Sequence, residues 1–307
     1  HVVDHYDYED SAGRPYTGLY QQQDGQWIYV KNGSWAYDHT GFVVKDGDWW
    51  YVENGRITFH CNGLVKGLVN GNDTWWYVTG SKVNFCNTVA SNAYGWWKIT
   101  NGRVDFDFTG LAENAYGWWK ITNGQVDFGY VGYEQNGSNW WYVYGGQVCF
   151  QATDVLPGTV GGQYGWWKVC EGKVNFDDDV CENAYGWWKI TTGKVDFQYT
   201  GLAQNVCGWW MIQNGHVNFG SNGLVDNGNG WWLVRNGCVD FNYNGLVDNG
   251  NGWWLIRNGC VDFNYDGLVD NGNGWWLVKN GCVDFSYQGY VQNECGVWWV
   301  SNGQVQF

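Results

Sequence analysis

The chain has 307 residues, a formal net charge of −14, 20% aromatic residues, 47 Gly and only 2 Pro. The excess of carboxylates argues against nucleic acid and anionic membrane surfaces as partners, because both are bound through Lys and Arg. No apolar run approaches the roughly 18 residues of a membrane-spanning helix, and no stretch has the 3.6-residue period of an amphipathic helix. Many glycines with few prolines are typical of short strands joined by tight turns.

Residues 1–15 are acidic and lie outside the pattern that fills the rest of the chain, so we predict an N-terminal lead-in or cap. His1, Asp4 and His5 could be imagined as metal ligands, but a frayed terminus is the better interpretation. The chain begins without a Met or a signal peptide, which suggests a mature fragment or an excised module. Residues 16–307 form one uninterrupted array, which we expect to be a single elongated domain.

The array repeats a β-hairpin. In residues 230–242 two short apolar strands flank Asn236-Gly237, a strong hairpin signal because both turn positions need a positive φ. We call the first Trp of each copy position zero and name the copy by it. Thirteen copies follow, mostly 22 residues apart, at Trp27, Trp49, Trp75, Trp96, Trp118, Trp140, Trp166, Trp187, Trp209, Trp231, Trp253, Trp275 and Val297. Two longer connectors, at 63–69 and 151–161, are expected to be local loops.

The hairpin predicts which side chains face the core. With the turn at positions +5 and +6, position +3 pairs with +8 and +1 with +10, so these four share one face. The opposite face would be wet, with a Lys at +2 paired to an Asp at +9 across the strands. The second Trp of each pair would then be core and the first outward. Examples are Trp97, Ile99, Val104 and Phe106, or Trp232, Val234, Val239 and Phe241, for the core, and Lys98–Asp105, Lys120–Asp127 and Lys189–Asp196 for the charge pairs.

The outward Trp carries the functional hypothesis. A row of exposed indoles offers platforms for ligands that stack on ring faces, such as sugars or quaternary ammonium groups. Packing on the next connector, or on the Tyr two residues earlier, would explain the same Trp, and both readings stay open. The candidate ligand-binding residues are Trp96, Trp118, Trp187, Trp209, Trp231, Trp253, Trp275, Tyr94, Tyr116 and Tyr185.

Other chemistry is weakly represented. No Gly-x-Ser-x-Gly, His-Glu-x-x-His or phosphate-binding loop occurs, so we predict neither an enzyme nor a cofactor. The ten Cys include no CxxC pair, and both disulfides and free thiols remain open. The turn at 226–230, with its copies from Asp248 and Asp270, offers oxygen ligands for calcium, although ordinary turn chemistry needs the same residues.

These features resemble the cell-wall-binding repeat family: the choline-binding and glucan-binding repeats of Gram-positive surface proteins and the related clostridial toxin repeats. Residues 231–234 take the place of the family's aromatic hairpin, Asn236-Gly237 that of its turn, and Gly245-Leu246 that of its connector, and the resemblance covers about 27–307. It implies an all-β fold, an elongated β-solenoid of hairpins, with ligand sites in the grooves between copies. The connector Trp that helps to build a choline cage is replaced here by Leu246 and its equivalents, which leaves a sugar as the other ligand class.

Two functions follow from this sequence. The first is a non-catalytic, extracellular module that attaches a secreted bacterial protein to cell-wall polymer or glycan at the cell surface. The alternative is a rigid adhesin or stalk that binds an extracellular host protein, such as a glycoprotein or immunoglobulin, because exposed aromatic surfaces also suit protein interfaces.

Overall fold

A computed structural model describes residues 7–307, so His1, Asp4 and His5 lie outside the described residues. Within 7–307 all regular structure is β-strand, as predicted, and no helix there is long and apolar enough to cross a membrane. The chain divides into two compact units. The first runs to Ala152 and includes Glu171–Lys173, and the second comprises Thr153–Cys170 and Val174–Phe307. Both units are built from the same recurring element.

The strands are short and follow one another along the chain. The first seventeen are β1 (Gly18–Gln21), β2 (Trp27–Lys31), β3 (Ser34–Trp35), β4 (Gly41–Lys45), β5 (Asp48–Val52), β6 (Gly63–Val69), β7 (Asn72–Thr79), β8 (Lys82–Val83), β9 (Thr88–Asn92), β10 (Gly95–Thr100), β11 (Arg103–Val104), β12 (Gly110–Asn114), β13 (Gly117–Thr122), β14 (Gln125–Val126), β15 (Gly132–Asn136), β16 (Asn139–Tyr144) and β17 (Gln147–Val148). The others are β18 (Asp154–Val160), β19 (Gln163–Cys170), β20 (Lys173–Val174), β21 (Asp179–Asn183), β22 (Gly186–Thr191), β23 (Lys194–Val195), β24 (Gly201–Asn205), β25 (Gly208–Gln213), β26 (His216–Val217), β27 (Gly223–Asp226), β28 (Trp231–Arg235), β29 (Cys238–Val239), β30 (Gly245–Asp248), β31 (Trp253–Arg257), β32 (Cys260–Val261), β33 (Gly267–Asp270), β34 (Trp275–Lys279), β35 (Cys282–Val283), β36 (Gln288–Asn293), β37 (Gly296–Ser301) and β38 (Gln304–Gln306).

The recurring element has three antiparallel strands, one more than the predicted hairpin. In the copy at Trp118, β13 pairs with β14 through Ile121↔Val126, which confirms the hairpin register. On its other edge β13 pairs along its length with the connector strand β12. The prediction that the two longer connectors are local loops is also wrong, because these segments form connector strands as well. Strands β6 and β18 occupy those segments and pair fully with β7 and β19, so each insertion lengthens a hairpin.

The predicted Asn-Gly turns are present. Asn236 and Gly237 have φ values of 49° and 78°, as a two-residue turn requires. The turn glycine also joins neighbouring copies, because Gly237 N donates to Ser221 O at 2.9 Å while its carbonyl accepts from Met211 N at 2.7 Å. A Cβ at this position would lie 2.5 Å from the carbonyl oxygen of Asn218. Glycine is therefore required both by the backbone angle and by the close contact.

The core is shared between consecutive copies. Positions +3 and +8 are buried as predicted, for example Ile99 at 0% and Val104 at 5% exposure. One core cluster combines Val89 of one copy with Ile121 and Val126 of the next. Each such side chain contributes roughly 1.5–3 kcal/mol when it is buried. The copies in each unit are thus held together by apolar packing as well as by the backbone contacts of the turns.

Two parts of the face assignment are wrong. Phe106 and Phe241 at position +10 are 46% and 39% exposed, because the short strand of each hairpin ends at +8 and the alternation of faces ends with it. The face at +2 is not wet, since Lys120 and Lys189 are only 6% and 8% exposed. Their ion pairs therefore run to other carboxylates than the predicted Asp127 and Asp196: Lys120–Glu134 at 2.8 Å and Lys189–Asp178 at 3.4 Å.

All ten cysteines lie in the described chain and are free. Of the two alternatives left open by the sequence, disulfides and free thiols, the structure therefore has free thiols. The equivalent residues Cys238 and Cys260 are held in register with Trp210 and Trp232 of the preceding copies.

Candidate functional site

The Trp at position zero packs on the following copy. The Trp96 ring centroid lies 5.0 Å from that of Trp119 and 5.9 Å from that of Phe128, and those two rings are 5.7 Å apart. We call such a trio, position zero of one copy with positions +1 and +10 of the next, the inter-repeat aromatic cluster. The same trio recurs at Trp118–Trp141–Phe150, Trp187–Trp210–Phe219, Trp209–Trp232–Phe241, Trp231–Trp254–Phe263 and Trp253–Trp276–Phe285.

The predicted division of each Trp pair into one hidden and one exposed ring is therefore wrong. The candidate Trp residues at position zero are all half-buried. Some second Trp residues are buried, such as Trp119 at 8% exposure, but Trp97 and Trp210 are half-buried too. In the trios given above, first and second Trp rings contact each other, because strand pairing joins consecutive copies, as in Trp97↔Gln125. The most exposed ring of each cluster is the Phe at +10.

Each candidate Tyr lies beside the position-zero Trp of the preceding copy. Tyr94, Tyr116 and Tyr185 are 72%, 75% and 74% exposed. Their ring centroids lie 6.2, 6.2 and 5.4 Å from those of Trp75, Trp96 and Trp166. Of the candidate residues, the structure thus brings Trp96 and Tyr116 together. These Tyr rings add an open aromatic wall beside half-buried Trp rings.

Two polar residues that sequence analysis missed hold these rings in place. Asn114, at position −4, accepts hydrogen bonds on Oδ1 from Trp119 Nε1 and from Tyr116 N, both at 2.9 Å. Gln147, at position +7 of the next copy, donates from Nε2 to the carbonyl oxygen of Tyr116 at 2.8 Å. Gln147 lies directly over Gly117, where a Cβ would be 2.5 Å from its Nε2. The recurrence of Asn at −4 and of Gly at −1 was the available signal.

Cavities open at two places where residues at the three positions of the cluster line open space. In the second unit, a mainly apolar cavity of about 250 Å³ is lined by Trp275, Trp298, Phe307 and Leu268, with Cys295 in the place where other copies have Tyr. In the first unit, an equivalent cavity of about 310 Å³ is lined by Trp27, Trp50, Phe59, Leu19, Ile57, Lys45, Asp46 and Asp48. There the Lys45 ammonium lies 5.5 Å from the centroid of the Trp27 ring. This site thus already holds a cation over an indole face.

A second kind of cavity follows the connectors. A groove of about 690 Å³ in the second unit is lined by Trp209, Leu202, Tyr199 and Lys189, together with Asp177, Asp178 and Asp179. Its equivalent in the first unit, about 330 Å³, is lined by Trp118, Leu111, Phe108, Lys98, Ala112, Glu113, Asn87 and Asn136. We call these the connector grooves. Trp118 and Trp209, both at position zero, thus belong to an aromatic cluster and also line an open groove.

No described group of three or more His, Cys, Asp or Glu is placed to hold a metal ion. The turn considered for calcium uses its oxygens internally, because Asp226 Oδ1 accepts from Gly228 N at 2.8 Å and Asn227 Oδ1 from Asn229 N at 3.0 Å. These are the hydrogen bonds of an ordinary Asx turn.

The sequence matches the family described as "Choline-binding repeat", and the chain belongs to it, as the resemblance predicted. The matches together cover more than half of the chain, at residues 16–34, 38–58, 65–84, 87–105, 107–127, 198–218, 220–240, 242–262 and 264–284. No curated protein sequence matches this chain.

Several solved structures are similar in part. CbpJ from Streptococcus pneumoniae is 15% identical with a TM-score of 0.27, and covers 92% of this chain and 99% of its own. Choline binding protein F from Streptococcus pneumoniae is 16% identical with a TM-score of 0.29, and covers 92% of this chain and 98% of its own. Alternansucrase in complex with isomaltononaose is 17% identical with a TM-score of 0.31, over 83% of this chain and 20% of its own. At these scores the likeness carries no argument about function.

Proposed function

We propose that this chain is a non-catalytic binding module that attaches a secreted bacterial protein to cell-wall polymer or glycan. The half-buried Trp at position zero supplies the platform, and the cavities beside it receive choline groups or sugar rings. The observation that carries the proposal is the repetition of one aromatic cluster between successive copies. In the cavity lined by Trp27, Trp50 and Phe59, the Lys45 ammonium lies over the Trp27 ring. Membership of the choline-binding repeat family supports the same ligand class.

The geometry suits weak binding at many places. A quaternary ammonium over an indole face contributes about 0.5–2 kcal/mol, which is little for one site. Several sites on one chain engaging one polymer raise the overall affinity through effective concentration. We therefore assign the module to the extracellular surface of a Gram-positive cell, where such a polymer is present. The alternative of an adhesin that binds a host protein gains no support from the comparisons.

The test is retention on purified Gram-positive cell walls, with elution by free choline or by a defined wall glycan. Replacing Trp118 and Trp209 together by Ala should lower retention several-fold, because each removes one platform. The control is Tyr144→Ala, since Tyr144 is 64% exposed at position +4 and belongs to none of the clusters. Equal retention of both variants and the unchanged chain, or elution by neither ligand, would overturn the proposal.

A further inference from the structure

Lys98 differs from the other lysines at position +2. Lys120, Lys168 and Lys189 each have a carboxylate partner, at 2.8, 2.6 and 3.4 Å. Lys98 Nζ donates to the carbonyl oxygen of Ile99 at 2.7 Å and lies 5.5 Å from the centroid of the Phe108 ring. Within residues 7–307 no carboxylate lies at ion-pair distance from this ammonium. Two of its three N–H groups are therefore available to a ligand.

The sequence explains the difference. Lys120 is paired with Glu134, at position −6 of the following copy, and the same position after Lys98 is Ala112. Lys189 is paired with Asp178, at position −9 of its own copy, and that position before Lys98 is Asn87. Lys168 is paired with Asp179, at position −8 of the following copy, and the same position after Lys98 is Gly110. All three carboxylates that serve equivalent lysines are thus replaced by uncharged residues beside Lys98.

The available ammonium faces a cavity. Lys98 lines the connector groove of about 330 Å³ together with Ala112, Asn87, Asn136 and Trp118. Burial lowers the pKa of Lys98, although Asp105 and Cys86 act in the opposite direction. A half-buried ammonium without an ion-pair partner gains more from an incoming anion than one already paired. The groove therefore combines an indole platform, two amide side chains and an ammonium without an ion-pair partner.

We propose that this groove binds an acidic sugar unit, a pyranose that carries a carboxylate or a phosphate. The sugar ring stacks on the Trp118 indole, and the anion accepts charge-assisted hydrogen bonds from Lys98 Nζ. Glu113 also lines the groove, but it is exposed, so water and salt screen its repulsion of the anion. The proposal rests on the proposed function, since it uses a position-zero indole as the platform.

The experiment compares methyl β-glucuronide with methyl β-glucoside by following the indole N–H signal of Trp118 in NMR titrations at pH 7. The unchanged chain should bind the glucuronide about tenfold more tightly, and this preference should fall as salt is raised. A parallel titration with glucose 6-phosphate distinguishes the two anion sources, because the tighter of the two identifies the group that fits. Lys98→Met should reduce the preference to about one, and Met211 shows that the repeat accepts Met at +2.

A second variant tests the same point without removing the lysine. Ala112→Glu introduces the carboxylate that Glu134 supplies to Lys120, and should also abolish the preference for the anionic sugars. Lys120→Met is the matched control and should leave the preference unchanged, since Lys120 is already paired. Equal binding of charged and neutral sugars by the unchanged chain, or a preference that survives Lys98→Met, would overturn this inference. Neither result would contradict the role of Trp118 as a ligand platform. If neither the sugars nor choline shift the indole N–H signal of Trp118, the proposed function is overturned as well.

Discussion

At the scale of single residues, the turn glycines do more than permit a positive φ. Gly124 has a φ of 80°, and a Cβ there would lie 2.5 Å from the carbonyl oxygen of Asp105 in the preceding copy. Gly47 has a φ of 86° in a turn of another hairpin, and nothing lies within 4 Å of its Cβ position. Substitution at Gly47 therefore tests backbone strain alone, whereas substitution at Gly124 tests strain together with close contact between copies.

We predict that Gly124→Ala lowers the free energy of unfolding by about 3 kcal/mol or more, because a clash with backbone adds to the conformational cost. Gly47→Ala should cost only about 1–2 kcal/mol, the cost of a Cβ in the left-handed region. Urea unfolding followed by Trp fluorescence measures both. Equal losses would show that the contact between the turn and the preceding copy is unimportant.

His39 replaces a Tyr that other copies have at position +12. In those copies the hydroxyl donates to a carbonyl three residues later, as Tyr243 does to Leu246 O at 3.1 Å. His39 Nε2 is buried without a hydrogen-bond partner in the described chain. Burial, and then the charge of Lys31, lowers the pKa of His39 from its ordinary 6.5, although Asp38 opposes the shift. The folded state thus favours the neutral imidazole.

Because the folded chain binds this proton less readily than the unfolded chain, stability is retained above pH 6.5 and lost as the pH falls through the lowered pKa. His39→Tyr should remove this acid-side loss and add about 1 kcal/mol from the new hydrogen bond. His39→Phe should remove the pH dependence without that gain. The midpoint of urea unfolding, measured between pH 5 and 8, tests both expectations. If both variants lose as much stability at acid pH as the unchanged chain, the role given to His39 is wrong.

At the scale of the element, Asn at position −4 joins the turn to the aromatic cluster. Besides its two bonds to Trp119 and Tyr116, Asn114 donates from Nδ2 to the carbonyl oxygen of Val89 at 3.2 Å. The copy at Trp253 has the equivalent Asn249, but it accepts only from Asn251 N at 3.0 Å, and Trp254 Nε1 is buried without a partner among the described residues. The same residue therefore makes different numbers of contacts in different copies.

Asn114→Ala should lower local stability by about 2–3 kcal/mol, because it leaves the Trp119 N–H and the Val89 carbonyl without partners. Asn249→Ala should cost about 1 kcal/mol, since one turn bond is lost. Hydrogen exchange of the backbone amides in the affected copy measures both losses. A larger loss for Asn249→Ala would contradict the role given to Asn114.

The sequence is a good guide to what is local in this element. Asn236-Gly237 and its equivalents predicted the turns, and alternation predicted the burial at +3 and +8, because both depend on neighbours within one hairpin. The connector strand β12 was missed, since its pairing with β13 depends on the turn closed by Asn114. The aromatic clusters were missed for a different reason. Pairings such as Trp97↔Gln125 join residues of different copies, and no local periodicity specifies that register.

At the scale of the whole molecule, the proposed function depends on the repetition of one modest contact. Each aromatic cluster and connector groove is small, but equivalent residues recur within each unit, and under the proposed function a polymer gains affinity by engaging several sites. Specialisation of single copies remains compatible with this, as Lys98 and Lys120 show. The elongated solenoid of thirteen copies stays a prediction for the chain as a whole.

The central claim is that the position-zero Trp is the ligand platform. The most direct measurement is an NMR titration of the chain labelled with ¹⁵N at the Trp indoles, with choline and a neutral wall glycan as ligands. Signals are assigned by Trp118→Phe, Trp209→Phe and Trp119→Phe. We predict saturable shifts of Trp118 and Trp209, while Trp119, buried and bonded to Asn114, moves little. Shifts of Trp119 as large as those of Trp118, or no shift of either position-zero signal with any ligand, would contradict the account.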